Sequence, residues 1–418
     1  MPPAPGRIVV TGLGAVTPLG VGAGAFWEGL LAGRSGAVLL EELELVDLER
    51  SDVRIAAPVR SFEPAEHMPP KAARRMGRFA QFAVAAAGEA IADAGLAIEP
   101  AARDRVGVVM HTGGGDLQLY AREVVKNHLD GPDGLSPFTV SMISPNMAAC
   151  QVSILYGITG PVIASVAACA SGLQALVDAA RLLRLGEVDV VLAGGTEALL
   201  GVSLVAFARM GVLSRRNDDP EGASRPFDLE RDGCVMGEGC GVLVLETEEH
   251  AMRRGARVLC ELRGGAATAD AFHLAIPAPD GEGAARAMRG ALADAGLDPG
   301  AIDYVCAHGS ATPQNDVAET AAIKAVFGER AYQIPVSSPK SMTGHLLGGA
   351  GAISAVSSVL ALRDGVIPGT LNLTAPDPEC DLDYTADGAR RISPRTAMVN
   401  AFGFGGQNAV AILSSYPD

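Results

Sequence analysis

Three side chains in this sequence are of the kinds that make and break acyl–sulfur bonds: Cys169, His308 and His345. A thiolate attacks acyl groups, and an imidazole donates a hydrogen bond or moves a proton at the oxygen that becomes charged. A cysteine with two histidines therefore points to acyl-thioester chemistry. Cys169 stands in Ala167-Ala168-Cys169-Ala170-Ser171-Gly172, and His308 opens His308-Gly309-Ser310-Ala311-Thr312-Pro313. His345 closes Pro339-Lys340-Ser341-Met342-Thr343-Gly344-His345. Both histidines sit among small residues that leave room for a substrate. Each residue also has a plainer reading. A free cysteine is commonly a small core residue, and a lone histidine is more often structural. Spacing alone does not bring the three together.

The elements around them are those that position an active site. Residues 161–166 are apolar and β-branched, which predicts a buried strand ahead of Cys169. Leu173, Leu176, Val177, Ala180 and Leu183 recur at helical spacing behind it, until Gly186 offers a C-cap. Cys169 is thus predicted in a strand-to-helix turn, where unpaired amides and the helix dipole favour the thiolate. Residues 302–307 read as a strand delivering His308, and residues 346–362 as a small-residue helix after His345. Active sites of open α/β sheets gather at such carboxyl ends of strands.

The remaining chain fits an α/β protein. Residues 7–11 read as a strand, followed by a glycine-rich stretch, 12–20, that imitates a dinucleotide fingerprint. Thr17 occupies the third glycine position and Pro18 interrupts the start of the helix, so a structural turn is expected. Residues 23–32 and 284–295 read as helices, and 105–110 as a strand ending in the loop His111-Thr112-Gly113-Gly114-Gly115-Asp116. Residues 135–149 lead into a helix at Pro145-Asn146-Met147, and 188–197 give a strand with a tight glycine turn. Strand 240–246 closes a first half, and the glycine-hinged strands 397–400 and 409–413 echo it in the second. The echo suggests a duplicated α/β unit, split as residues 1–250 and 251–418, with a shared interface and no flexible linker.

Composition narrows the class. With 418 residues, 48% of them hydrophobic, the chain can bury a large core, yet no apolar stretch is long enough to span a bilayer. The N-terminal residues 1–7 lack the regions of a signal peptide, so a cytoplasmic protein without membrane insertion is expected. The seven cysteines are odd in number and form no C-x-x-C pair, so neither a disulfide framework nor a zinc site is expected. A formal charge of −15 argues against nucleic acid as a partner. One basic cluster, Lys71-Ala72-Ala73-Arg74-Arg75-Met76-Gly77-Arg78, stands out at the start of a helical stretch. It is either a solvated helix end or a docking face for an acidic partner.

Taken in order, four stretches resemble the motifs of the β-ketoacyl-ACP synthases of the thiolase superfamily. They are Val166-Ala167-Ala168-Cys169-Ala170-Ser171-Gly172, the His308 and His345 segments above, and Asn400-Ala401-Phe402-Gly403-Phe404-Gly405-Gly406. The likeness is greatest to the type II synthases and runs from Ile8 to Leu413. It implies an α/β thiolase fold with a duplicated five-layered α/β/α/β/α core, and a dimer.

The resemblance also implies roles. Cys169 would take an acyl chain from an acyl carrier protein, and the amides of Cys169 and Phe404 would form the oxyanion hole. His308 and His345 would donate to the malonyl thioester oxygen during decarboxylation, with His308 open to a further proton or bicarbonate role. Lys340 would order the histidines. Ser310, Thr312, Phe402 and Phe404 would contact substrate and pantetheine, Phe404 as a gate. Lys71, Arg74, Arg75 and Arg209 would dock the acidic carrier, with Arg215 and Arg216 adding to the patch. The phosphopantetheine would arrive on the carrier, so no resident cofactor is implied. Residues 113–117 and 138–143 are candidate walls of the acyl pocket.

The chain departs from the family pattern at two places. Ser354 stands where the family has a glutamate near the lysine and a cation site, and Gln407 where it has a threonine. Gln314-Asn315-Asp316 and residues 377–384 resemble instead the ketosynthase subunit of type II polyketide synthases, which pairs with a silent chain-length factor. Fatty-acid and polyketide elongation are therefore both implied, with homodimer and heterodimer as the matching assemblies. A non-catalytic chain-length subunit is disfavoured by Cys169, His308 and His345. A thiolase is disfavoured because Cys306 and Cys380 lie outside the motif for a second catalytic cysteine.

Overall fold

A computed structural model describes residues 6–199 and 201–417; the N-terminal residues 1–5, part of the segment read for targeting, lie outside the described residues. In chain order, the first half contains β1 (Ile8–Thr17), α1 (Ala23–Leu31), α2 (Arg78–Asp93), β2 (Val106–Thr112) and α3 (Leu117–Asp130). It continues with α4 (Thr139–Ile143), α5 (Met147–Tyr156), β3 (Val162–Ile163), α6 (Ser171–Arg184), β4 (Val190–Glu197), α7 (Gly201–Met210) and β5 (Gly239–Thr247). The second half contains β6 (Cys260–Ala269), α8 (Glu282–Ala295), β7 (Tyr304–Cys306), α9 (Pro313–Phe327) and β8 (Val336–Ser337). It ends with α10 (Ala350–Asp364), β9 (Thr396–Gly403) and β10 (Gln407–Ser414).

The duplication is visible in the strand order, β8-β7-β9-β10-β6-β1-β5-β4-β2-β3. From β1 outward the pairings are antiparallel, antiparallel, parallel and parallel. From β6 outward they repeat in the same sequence. The halves meet where β1 and β6 pair briefly through Val9–Glu261 and Val10–Cys260.

Side-chain alternation along the strands builds the layers. In β4, Val190 and Leu192 face an outer core with Phe79, Phe82 and Ala86 of α2 and Val152 of α5. Val191 and Ala193 face the opposite way, into a central core with Leu173 and Leu176 of α6 and Ile353 and Val356 of α10. Val399 and Ala411 join this central core from the second half. There, Val305, Met398 and Val410 face a further core with Met288 of α8 and Ile323 of α9. The result is helix, sheet, helix, sheet, helix, the expected five layers. Helix α10 is buried on every side, which small Ala, Gly and Ser residues permit.

Several local expectations are corrected. Gly12 and Gly14 lie inside β1, not in a turn. A Cβ on Gly12 would meet the Ala90 carbonyl oxygen at 2.3 Å, so bare backbone lets α2 lie against the strand. The chain reverses at Pro18-Leu19 instead. Of residues 161–166 only Val162–Ile163 form strand, and it is the outermost strand, with Val162 and Val166 exposed. An apolar β-branched run reports sheet but does not distinguish an inner strand from an edge. β4 continues through Gly194 and Gly195, paired to β5, with no turn there. His111 and Thr112 belong to β2 rather than to the loop after it. The helix expected over 346–362 begins at Ala350, after a short turn over Leu347–Gly349 in which Leu347 has φ +45°. The basic cluster breaks at Gly77 into the single turn Pro70–Ala73 and α2.

Candidate active site

Cys169 sits in the turn Ala168–Ala170 directly before α6. Ala168 has φ +48°, a left-handed conformation rare for alanine, and the Ser171 hydroxyl secures it. That hydroxyl accepts from the Ala167 amide at 2.9 Å and lies 2.7 Å from the Ala168 carbonyl oxygen and 3.0 Å from that of Thr112. Gly403, at the end of β9, lets a second chain segment close on the turn, since a Cβ there would meet the Cys169 amide at 2.9 Å. The amides of Phe404 and of Cys169 itself are thereby directed at the sulfur. A position before a helix by itself favours the thiolate. Burial instead pushes the Cys169 thiol up to about 12, with Lys340 and the two amides pulling the other way. The resting group is a thiol, because desolvation outweighs a helix terminus.

The two histidines are held as a matched pair. The Phe402 amide donates to His308 Nδ1 at 3.2 Å, and the Leu347 amide donates to His345 Nδ1 at 3.2 Å. A ring nitrogen that accepts an amide carries no proton, so each neutral ring carries its proton on Nε2. The rings lie 5.3 Å apart at 80° to one another. Burial first, and the charge of Lys340 second, hold both below the usual imidazole range, His345 at about 3. Both are therefore neutral Nε2–H donors near neutral pH. The segment Val235–Gly237 fixes His345 from its other side, because the His345 amide donates to the Val235 carbonyl at 2.7 Å.

Lys340 is buried, and its ammonium donates to the His308 carbonyl oxygen at 2.6 Å. Sequence reading missed its acidic surroundings. Glu319 accepts from the His308 and Gly309 amides, both at 2.8 Å, and from Asn400 Nδ2 at 3.0 Å. Asp316 accepts from the Ser310 amide at 3.1 Å and the Phe227 amide at 2.8 Å. A usable signal was present: two acids three residues apart share one face of the helix after the His308 turn. Ser354 is buried in α10, its carbonyl accepting from the Ser358 hydroxyl at 2.9 Å and facing the Cys306 thiol. It supplies no carboxylate to Lys340 or to a cation. Among the described residues, no group of three or more His, Cys, Asp or Glu side chains is arranged to hold a metal ion.

One cavity of about 430 Å³ joins the parts. Cys169, His308, His345, Ser310, Thr312, Phe402 and Phe404 all line it. One side is polar, with Ser310 Oγ and Thr312 Oγ1 at 2.9 Å from each other. Another is apolar, with Val212, Leu213, Met236 and the Phe207 ring, whose centroid is 5.8 Å from that of Phe404. The expected walls at residues 113–117 and 138–143 do not line this cavity. The end of α7 with the residues after it, Phe207 to Leu213, and the loop Asp270–Pro277 do, and neither carries a chemical motif that marks it.

Lys71, Arg74, Arg75 and Arg209 are exposed, the guanidinium of Arg75 lying 4.4 Å above the Phe138 ring. Arg78 is separate from them: it pairs with buried Glu238 at 2.8 Å. Arg216 pairs with Glu230 at 3.2 Å and Arg215 lies 3.6 Å from Asp52, so both are partly neutralised.

Comparison with known proteins agrees with this geometry. The chain matches the family described as Beta-ketoacyl synthase, N-terminal domain, over residues 6–251, and the corresponding C-terminal domain over residues 259–374. It is 46% identical to the 3-oxoacyl-[acyl-carrier-protein] synthase 2 of Synechocystis sp., with 98% of each chain covered. It is 43% identical to the protein of that name from Staphylococcus aureus, again over 98% of each. Among solved structures, a beta-ketoacyl synthase from Burkholderia phymatum superimposes with a TM-score of 0.92 at 37% identity, covering 99% of this chain and all of that one. A type II polyketide ketosynthase bound to a hexaketide, in complex with its acyl carrier protein, gives 0.91 at 36% identity with the same coverage. The ishigamide ketosynthase/chain length factor gives 0.90 at 35%, also with that coverage.

Proposed function

The chain belongs to the β-ketoacyl synthase family and is a ketosynthase, and from that premise we propose how its residues divide a decarboxylative condensation. The observation that carries the proposal is the matched pair of Nε2–H donors, His308 and His345, in one cavity with Cys169. In the first half-reaction Cys169 attacks the thioester of an acyl chain on an acyl carrier protein. A new Sγ–acyl bond forms, the carrier's carbon–sulfur bond breaks, and the thiol proton leaves with the carrier's thiol. The amides of Cys169 and Phe404 take the oxyanion of the tetrahedral intermediate.

In the second half-reaction malonyl-ACP loses carbon dioxide, and the electron pair of the broken bond moves onto the thioester oxygen. His308 and His345 hold that oxygen with two neutral donors, which cost no proton transfer to set up. The enolate carbon attacks the acyl carbonyl, the Cys169–acyl bond breaks, and the thiolate takes a proton from water. Ser310 and Thr312 orient the pantetheine arm, Phe402 fixes the His308 tautomer, and Phe404 closes the acyl side. This chemistry uses a nucleophile and fixed donors, so the carrier's phosphopantetheine is the only group that must be supplied.

Lys71, Arg74, Arg75 and Arg209 dock the acidic carrier. The protein works in the cytoplasm, and among its described residues no helix is long and apolar enough to cross a membrane. The edge strand β3, with exposed Val162, Val166, Ile154 and Val140 nearby, receives a second subunit of the same fold. Fatty-acid elongation by a homodimer is the primary reading, supported by 46% and 43% identity to 3-oxoacyl-ACP synthases over nearly the full chain. Polyketide elongation beside a chain-length factor is the second, supported by the likeness to the two polyketide structures.

Mass spectrometry of the protein mixed with an acyl-ACP tests the assignment. Wild type gains one acyl mass and Cys169→Ala gains none; an adduct that survives in the variant overturns the nucleophile.

A further inference from the structure

Glu197, at the end of β4, is buried, and no step above uses it. Its Oε2 accepts from the Gly113 amide at 2.6 Å and the Gly348 amide at 3.2 Å, and its Oε1 from Thr112 Oγ1 at 3.1 Å. The segments it joins are crowded: a Cβ on Gly348 would meet the Gly113 amide at 2.3 Å, and a Cβ on Gly113 would meet Glu197 Oε2 at 2.3 Å. Burial raises the carboxyl to about 7, with all three of these donors opposing the shift. A carboxylate enclosed in this way and bound to two backbone amides is an anchor for backbone.

What it anchors is the turn that controls His345. Gly348 directly follows Leu347, whose amide is the donor to His345 Nδ1. Leu347 has φ +45°, a conformation that leucine avoids unless its neighbours impose it. Its other neighbour, Leu346, is buried in the central core. The peptide after Leu347 therefore has a carboxylate to hold it, and the peptide before it has packing.

We propose that Glu197 is a positioning residue for His345. By accepting the Gly348 amide it keeps Leu347 in the left-handed conformation from which the Leu347 amide fixes His345 as an Nε2–H donor. The kinetic part of this inference rests on the role given to His345 above. The Cys169 turn depends on Glu197 less, because Ser171 also bonds to Ala167 and Ala168 within the turn itself.

Glu197→Gln tests it, since a neutral amide oxygen holds the two glycine amides more weakly than the charge-assisted bonds of a carboxylate do. Nitrogen-15 spectra of histidine-labelled protein, with His345 assigned by its absence in His345→Gln, read the tautomer without any substrate. Wild type should show one Nε2–H form, and Glu197→Gln a mixture. Malonyl-ACP decarboxylation should fall about tenfold in kcat with KM within about twofold, while Cys169 acylation is not slowed, because loss of the Glu197 charge only eases ionisation of the nearby thiol. In a Leu347→Gly background, where the left-handed turn needs no anchor, adding Glu197→Gln should cost less than about threefold. Should the glutamine variant not fold, Glu197→Asp, which is one methylene too short to bring its oxygen to both amides, must give the same spectrum and the same kinetic split. An unchanged His345 tautomer, or equal losses in both half-reactions, overturns the positioning role. Wild-type decarboxylation by His345→Ala overturns the catalytic reading instead, a result the substrate-free spectra keep separate.

Discussion

The ammonium of Lys340 lies 2.6 Å from the carbonyl oxygen of His308, inside the protein. This one contact ties the second half of the sheet to the charge balance of the whole site. Burial pulls the lysine below its usual range, with the nearby Cys306, Glu319, Cys169 and Asp316 opposing. In turn its charge opposes protonation of both histidines and favours the thiolate of Cys169.

Lys340→Met should therefore slow malonyl-ACP decarboxylation by on the order of a hundredfold, comparable to the loss of an oxyanion donor. It should also move the acid limb of the pH–rate profile upward, because His308 and His345 become easier to protonate. Carbon dioxide release measured from pH 4 to 8 checks both; an unmoved acid limb would show that the lysine acts only as a structural tie.

His308→Ala and His345→Ala should each reduce decarboxylation by on the order of a hundredfold or more, while Cys169 still accepts an acyl group. Single-turnover acylation followed by intact mass, beside carbon dioxide release, separates the two half-reactions. Equal loss of both would mean that the histidines support the cavity rather than the enolate.

Acid stability carries the signature of a buried neutral imidazole. His345 titrates at about 3 in the folded chain, held down by burial and then by Lys340, whereas an unfolded histidine titrates at about 6.5. Between those values the unfolded state binds a proton that the native state refuses, so stability rises with pH across this window and is lost on acidification. Equilibrium denaturation from pH 4 to 7 should show a shallower pH slope for His345→Gln than for wild type.

Charge reversal should separate docking from folding. Lys71→Glu with Arg74→Glu should raise KM for the carrier about tenfold at low salt, an effect that shrinks as salt is added. Turnover of a small acyl thioester should not change. Arg78→Gln should instead lower the melting temperature, because it strips the partner from buried Glu238.

At the sheet edge, Val162→Lys with Ile154→Lys should give monomers by native mass spectrometry, since both apolar side chains are exposed at the outermost strand, the surface proposed to receive a second subunit. A dimer formed by the double variant would place the interface elsewhere.

Much of the framework, and the side chains suited to the chemistry, can be read from the residues alone. Cys169, His308 and His345 are legible as side chains suited to acyl-thioester chemistry, and Lys340 and Phe404 only through the resemblance of their motifs to those of β-ketoacyl-ACP synthases. The strands and helices of both halves are legible because burial imposes periods of two and of 3.6 on apolar residues. Tertiary structure decided what depends on neighbours distant in sequence. That Val162 lies on an edge, that Gly12 and Gly14 admit a helix rather than a turn, and that segments 207–213 and 270–277 wall the cavity all follow from packing between distant segments. So does the protonation of the site. Local sequence put Cys169 at a helix terminus that favours the thiolate, and desolvation in the assembled site reversed that preference. The desolvation that sets these charge states is a property of the assembled interior, and no local stretch of sequence contains it.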